Sequence, residues 1–208
     1  MADKSAHKAK VRARILDEAA AALRSGGTEG LSVANLMKRA GLTHGGFYAH
    51  FENRDDLVAH AVERMFEDSA GLFTRLLPSG AGPADLGALV DSYLSEAAMR
   101  RHDRGCPLPW LAGEVPRMPP AAQARFRQGI DWMRSAIASV LQANGVAEGQ
   151  AQASAASAVA EMVGAMALAR AMGEGEDAVA LLADARRAIS QRLGATPSGT
   201  SVATPMPG

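Results

Sequence analysis

Apolar residues recur at helical spacing along nearly the whole chain, and no run alternates as a half-buried strand would. Residues 1–7 are polar and are expected to form a flexible basic arm. From about Ala6 to Arg24, the residues Val11, Ile15, Ala19, Ala22 and Leu23 share one face of a first helix, which Gly26-Gly27 ends. Ser32 caps a short second helix, Val33–Ala40, with Leu36 and Met37 inward. Gly41 supplies a turn, and Thr43 caps a third short helix ending near His50. Asn53, with Asp56 three residues on, opens a fourth helix from Arg54 toward Leu77, before the breaker Pro78-Ser79-Gly80.

The second half continues in the same period. Pro83 starts a helix running to about His102, with Leu86, Leu89, Val90, Tyr93, Leu94 and Ala97 as its stripe. A loop at Asp103–Gly105 leads to a short helix near Leu108–Val115. Prolines 116, 119 and 120 punctuate the next connection. Three long helices follow, about Ala121–Ala143, Glu148–Met172 and Asp177–Leu193. Residues 195–208, rich in Pro, Ser, Thr and Gly, are expected to be a disordered tail.

Composition supports an all-α class. Ala is abundant, β-branched residues are sparse and aromatics are 4%, while the 48% hydrophobic share of 208 residues suffices for a core. Twenty-two basic and 22 acidic residues balance. That argues against nucleic acid along the whole length but leaves room for a local basic patch. A single cysteine, Cys106, rules out an intramolecular disulfide framework. No Ser-His-Asp set, CxxC or HExxH occurs, so neither catalysis, a metal nor a cofactor is expected. The apolar stretch Ala155–Ala171 is interrupted by Glu161 and does not read as a membrane span. Met1–Arg14 is polar and basic, without the apolar core of a secretory signal, so a cytoplasmic location is expected.

Three short helices with a glycine turn between the second and third are the helix-turn-helix layout, whose third helix lies in the major groove. Within Thr43–Phe51, Phe47 and Phe51 share a buried face and leave Thr43, His44, Gly45, Tyr48 and His50 outward. Gly45 and Gly46 each cost about 1 kcal/mol of helix propensity against Ala. Close backbone approach to DNA is one reason for them, and for Gly46 close packing on a neighbouring helix is another.

The segments Ile15-Leu16-Asp17-Glu18-Ala19-Ala20, Gly30–Leu36, Ala40-Gly41-Leu42-Thr43 and Phe47-Tyr48-Ala49-His50-Phe51 resemble the DNA-binding domain of the TetR family, over about Lys8–Val62. The resemblance implies a DNA-binding domain over residues 8–54, with the helix-turn-helix at about 32–51. A ligand-binding and dimerisation domain would occupy residues 55–194. It places Thr43 and His44 at base edges or phosphate, lets the backbone approach at Gly45, and makes Tyr48, His50 and Arg54 phosphate contacts. Ser32, at a helix N-terminus, and Lys38, at the groove edge, join them. Tyr48 and His50 also admit a purely structural role, and Arg54 that of a solvated charge.

Cys106 stands in Gly105-Cys106-Pro107, before a short helix and near Arg100, Arg101 and Arg104, a setting that lowers a thiol's pKa. Its placement is similar to that of a TetR branch that senses electrophiles or oxidants, and a small buried filler is the other reading. Met65, Phe66, Phe73, Tyr93, Trp110, Phe126, Trp132 and Met133 are candidate ligand contacts or ordinary core, with Tyr93 and Trp110 favoured for their polar handles. A small-residue surface (Ala155, Ala156, Ala160, Gly164, Ala165, Ala167, Leu168, Ala171) and the stripe Leu181, Leu182, Ala185, Ile189 and Leu193 point to a homodimer through the last two long helices. The resulting expectation is a repressor that holds a pseudo-palindromic double-stranded operator until a small apolar or electrophilic inducer releases it. An activator, a ligand-independent regulator and a small-molecule carrier without DNA binding are the alternatives.

Overall fold

The structure, a computed structural model, describes residues 2–195, the side chains of residues 2–4 and of His44 excepted. Among these residues it is all-helical: α1 Ala2–Gly26, α2 Val33–Arg39, α3 Arg54–Leu76, α4 Pro83–Tyr93, α5 Glu96–Met99, α6 Leu108–Leu111, α7 Pro120–Ala143, α8 Glu148–Met172 and α9 Glu176–Arg192. Two 3-10 segments, His44–Ala49 and Val115–Arg117, complete it.

The amino-terminal unit packs α1, α2 and the first 3-10 segment on the start of α3. Ile15, Leu23, Leu36, Met37, Phe47 and Leu57 are its buried centre. Gly41 makes the turn: at φ +66° it takes the left-handed conformation that glycine adopts without a Cβ penalty. Its N–H bonds to Lys38 O at 3.0 Å and that of Leu42 to Met37 O at 2.8 Å, closing α2 as a Schellman motif. In the second unit α7 lies between α3 and α8, and α9 covers α8.

Several boundaries differ from expectation. The arm at residues 2–7 is helical, because good helix formers run from Ala2 without a breaker. The reading segment is 3-10 rather than α, the form short and glycine-bearing turns take. The helix expected to reach His102 stops at Tyr93, where Ser95 caps a separate α5 by accepting from Ala98 N at 3.1 Å. The expected helix to Val115 is a four-residue α6 followed by the second 3-10 turn. Ala195, assigned to the tail, is buried and donates to Ser190 O at 2.8 Å, capping α9. Residues 196–208 and Met1 lie outside the described residues.

By length and composition alone α8 is apolar enough to cross a membrane, since Ala and Met accumulate around its few charges. Here it packs as a core helix, burying Ala151, Ala155, Ala158, Val159 and Met162.

Candidate nucleic-acid interface and sensor cavity

The outward side of the helix-turn-helix is built from backbone economy and unengaged charge. Phe47 and Phe51 are buried and stacked with centroids 5.6 Å apart, which turns Tyr48 outward at 68% exposure. Thr43 and Gly45 are also exposed. A Cβ at Gly45 would meet nothing of the protein within 4 Å, whereas at Gly46 it would touch Thr43 Oγ1 at 3.5 Å and the end of Met37 at 3.8 Å. Ser32 caps α2 by accepting from Asn35 N at 3.4 Å, and Lys38 is exposed. Arg54 is half-committed: its guanidinium donates to the carbonyls of Thr28 and, at 3.5 Å, Leu31.

His50 is partly buried, with Nδ1 enclosed and without a protein partner. Burial first, then the positive charges of Lys8 and Arg12, hold its imidazole below the ordinary 6.5. Arg12 also lies over the Phe51 ring, 5.0 Å from its centroid. Two acidic residues of α1 that would cancel this charge are engaged elsewhere, Glu18 by Arg39 at 3.2 Å and Asp17 by Arg64 at 2.8 Å. Among the described residues, Lys8, Lys10, Arg12, Arg14 and Lys38 have no ion pair.

The second unit contains a cavity of about 520 Å³ between α3, α4, the 101–109 segment and α8. Of the predicted contacts, Phe73, Tyr93 and Cys106 line it. Phe66, Phe126 and Met133 do not. Phe66 stands edge-on to Phe126 with centroids 5.6 Å apart, filling the space over Gly129, and Met133 is fully buried. They are core, since apolar chains at helical spacing look alike whether they face a void or a neighbour. Trp110 is also outside the lining, and its ring covers the Arg170 guanidinium at 3.8 Å.

Cys106 is 8% exposed, its Sγ 3.9 Å from Met133 Sδ. The expected acidification is overturned. Burial pushes the thiol above its ordinary value and outweighs Tyr93, the Leu108 amide, Arg170 and Arg24, which act the other way. The same enclosure raises the Tyr93 phenol well above 10.

Sequence reasoning missed the residues that join the two units. Arg24, at the end of α1, is buried and donates to Asp68 Oδ2 at 3.0 Å, Asp103 O at 3.0 Å and Gly105 O at 3.2 Å. Thr28 donates from N and Oγ1 to Glu114, both at 2.9 Å. Arg24 and Asp68 are 44 residues apart and carry no local signature.

An exposed, basic helix-turn-helix on an all-helical companion unit with a cavity between its helices defines a transcriptional regulator. Residues 15–61 match the family of bacterial regulatory proteins of the TetR type, and residues 82–189 match the tetracyclin repressor-like C-terminal domain. The chain belongs to the TetR family. Solved structures agree in fold. A TetR regulator from Chloroflexus aurantiacus shares 25% identity at TM-score 0.74, over 90% of this chain and 96% of that one. E. coli NemR in reduced form shares 20% at TM-score 0.75, over 88% and 96%. A TetR regulator from Legionella pneumophila shares 18% at TM-score 0.73, over 86% and 94%. No curated protein sequence matches the chain.

Proposed function

We propose that the protein is a cytoplasmic, non-enzymatic repressor that binds a pseudo-palindromic operator as a homodimer and lets go when a small molecule fills the cavity. The observation that carries this reading is the outward edge Thr43–His50: exposed Tyr48, an open Gly45 backbone and the unpaired cations Lys8 and Arg12 lie together. A duplex phosphate ridge fits that edge, with Tyr48, His50, Ser32 and Lys38 positioning it and Thr43 at the bases; the side chain of His44, the other base contact expected, lies outside the described residues.

Release follows from the joint between the units. Asp68, Gly105 and Cys106 are walls of the cavity, and Arg24 ties α1 to Asp68 and to the turn at residues 103–105. An occupant that moves this turn moves α1 and the reading edge with it. The two copies then lose the spacing that places both in successive major grooves.

The test is selection of bound DNA from a random pool, followed by gel shift of the selected duplex. The expected product is a two-fold symmetric site. Binding should fall by about a thousandfold or more between 50 and 200 mM salt, and by about tenfold or more in Tyr48→Ala. No enrichment over sheared DNA, or an undiminished Tyr48→Ala, would sink the assignment.

A further inference from the structure

The cavity's charge points to the chemistry of its occupant. Four arginines (75, 101, 104 and 170) line it against a single carboxylate, Asp68. Asp68 is already taken by Arg24 at 3.0 Å and Arg64 at 3.3 Å. Arg104 reaches only Asp103, at 3.8 Å. Arg75, Arg101 and Arg104 are exposed and stand toward solvent.

Arg170 is different. It comes from α8 and makes no ion pair among the described residues. Its Nε donates to Met99 O at 3.3 Å, and its Nη2 to Ala98 O at 3.1 Å and Arg101 O at 3.4 Å. Trp110 covers one face of the guanidinium. Nη1 remains, buried and without a protein partner. Burial pulls the group down to about 10, so it is still a cation at neutral pH. Tyr93, which lines the same cavity, is 6% exposed; its hydroxyl stands beside the Cys106 thiol but makes no well-aligned hydrogen bond in the protein. Arg170 and Tyr93 are near enough to interact electrostatically. Arg170 and Tyr93 both line the cavity, and each keeps an enclosed donor without a well-aligned hydrogen bond in the protein; unmade hydrogen bonds of buried groups are costly, most of all for charged ones.

We propose that the cavity binds a small organic acid, its carboxylate paired with Arg170 Nη1 and accepting the Tyr93 hydroxyl. The apolar body of the acid lies along Leu72, Phe73 and Met166, which line the same space. A monoanion matches one guanidinium nitrogen and one phenol better than a phosphate, which presents more charge and more acceptors than these two donors satisfy. The outer arginines form a positive mouth that draws anions inward. A volume of about 520 Å³ holds such a molecule. The proposal rests on the reading of this cavity as the inducer site and narrows it, since an uncharged apolar inducer would leave both donors unused.

The test is calorimetric titration of the full chain at pH 7.5 with hexanoate, decanoate, benzoate and salicylate, each beside its own amide, and with sulfate. The expected result is at least one acid bound about tenfold or more tighter than its amide, as a charge-assisted hydrogen bond implies. Tyr93→Phe and Arg170→Gln should each remove most of that preference while leaving the weak binding of the amide unchanged. Tyr93→Phe keeps the ring and the fold, so it stands as the decisive variant should Arg170→Gln lose its ties to α5. Acids no better than amides across the set would overturn the proposal. So would sulfate binding as tightly as any acid, or an acid preference intact in Tyr93→Phe. A gel shift in parallel separates the two readings. Acid bound with DNA retained would defeat the inducer assignment and leave the acid site standing. DNA released by neutral compounds alone would defeat the acid site and leave the inducer assignment standing.

Discussion

At the scale of single residues, burial sets the protonation preference of two titratable groups. His50 is held below 6.5, so folding disfavours its charged form. Native stability from this group declines as pH falls below 6.5, because the unfolded chain then binds the proton that the folded one refuses. A phosphate set against the ring would reverse the preference. Operator affinity is therefore expected to rise between pH 7.5 and 6, with proton uptake on binding, and His50→Gln should flatten that rise. Parallel pH profiles for the two proteins in gel shifts would remove His50 from the phosphate contacts. For Cys106, whose burial raises its pKa, the native thiol should be alkylated by iodoacetamide at least about tenfold more slowly at pH 8 than in the urea-unfolded chain. Equal rates would restore the reactive-switch reading. The arginines near Cys106 in sequence suggested the contrary, because sequence adjacency reports charge but not dehydration.

At the scale of elements, local signals located helices well and their interruptions poorly. The bounds of α8 emerge from the Asn144-Gly145 stop before it and Gly173 after it, all local. The break at Tyr93 does not, because Leu94 and Ala97 continue the apolar stripe in register. What stabilises that break is distant. Arg186 donates to Leu94 O at 3.0 Å, and Arg170 to the carbonyls of α5, so cations from α9 and α8 satisfy the carbonyls freed there. Helix-to-helix fit was equally hidden. A Cβ on Gly129 would collide with the Phe66 ring where α7 crosses α3. Gly129→Ala gains up to about 1 kcal/mol of helix propensity but overpacks a site where such insertions cost about 1–3 kcal/mol. Net destabilisation is the expected outcome in urea unfolding, and Phe66→Leu in the same chain should recover part of it. The control Gly149→Ala, at an open position on α8, should be neutral or stabilising. If both substitutions stabilise alike, the tight α3–α7 crossing is wrong.

At the scale of the whole molecule, the surface left for a second copy is narrower than the sequence suggested. The α9 residues Leu182, Ala185 and Ile189, and Leu193 just beyond, are buried within the subunit, so they cannot also serve a partner. The side of α8 turned away from the core remains. Ala160, Leu168 and Ala171 are exposed there, Leu168 at 59%, with Gly164 open between them. Helical periodicity identified both stripes but not which neighbour each would meet. Leu168→Glu is expected to turn a dimer into monomers in analytical ultracentrifugation and to weaken operator binding by about a hundredfold or more, with the helical content of the chain unchanged. A variant that still sediments as the dimer would move the interface elsewhere.

The Arg24 fastening also bears on how such proteins are rebuilt. Its guanidinium belongs to the first helix, but its acceptors belong to α3 and to the turn ahead of Cys106. A chimera that grafts another regulator's reading head onto this body would leave Asp68 and two carbonyls facing a foreign side chain. Such hybrids should lose communication before they lose affinity, and the modular look of the gene overstates how freely its halves can be exchanged.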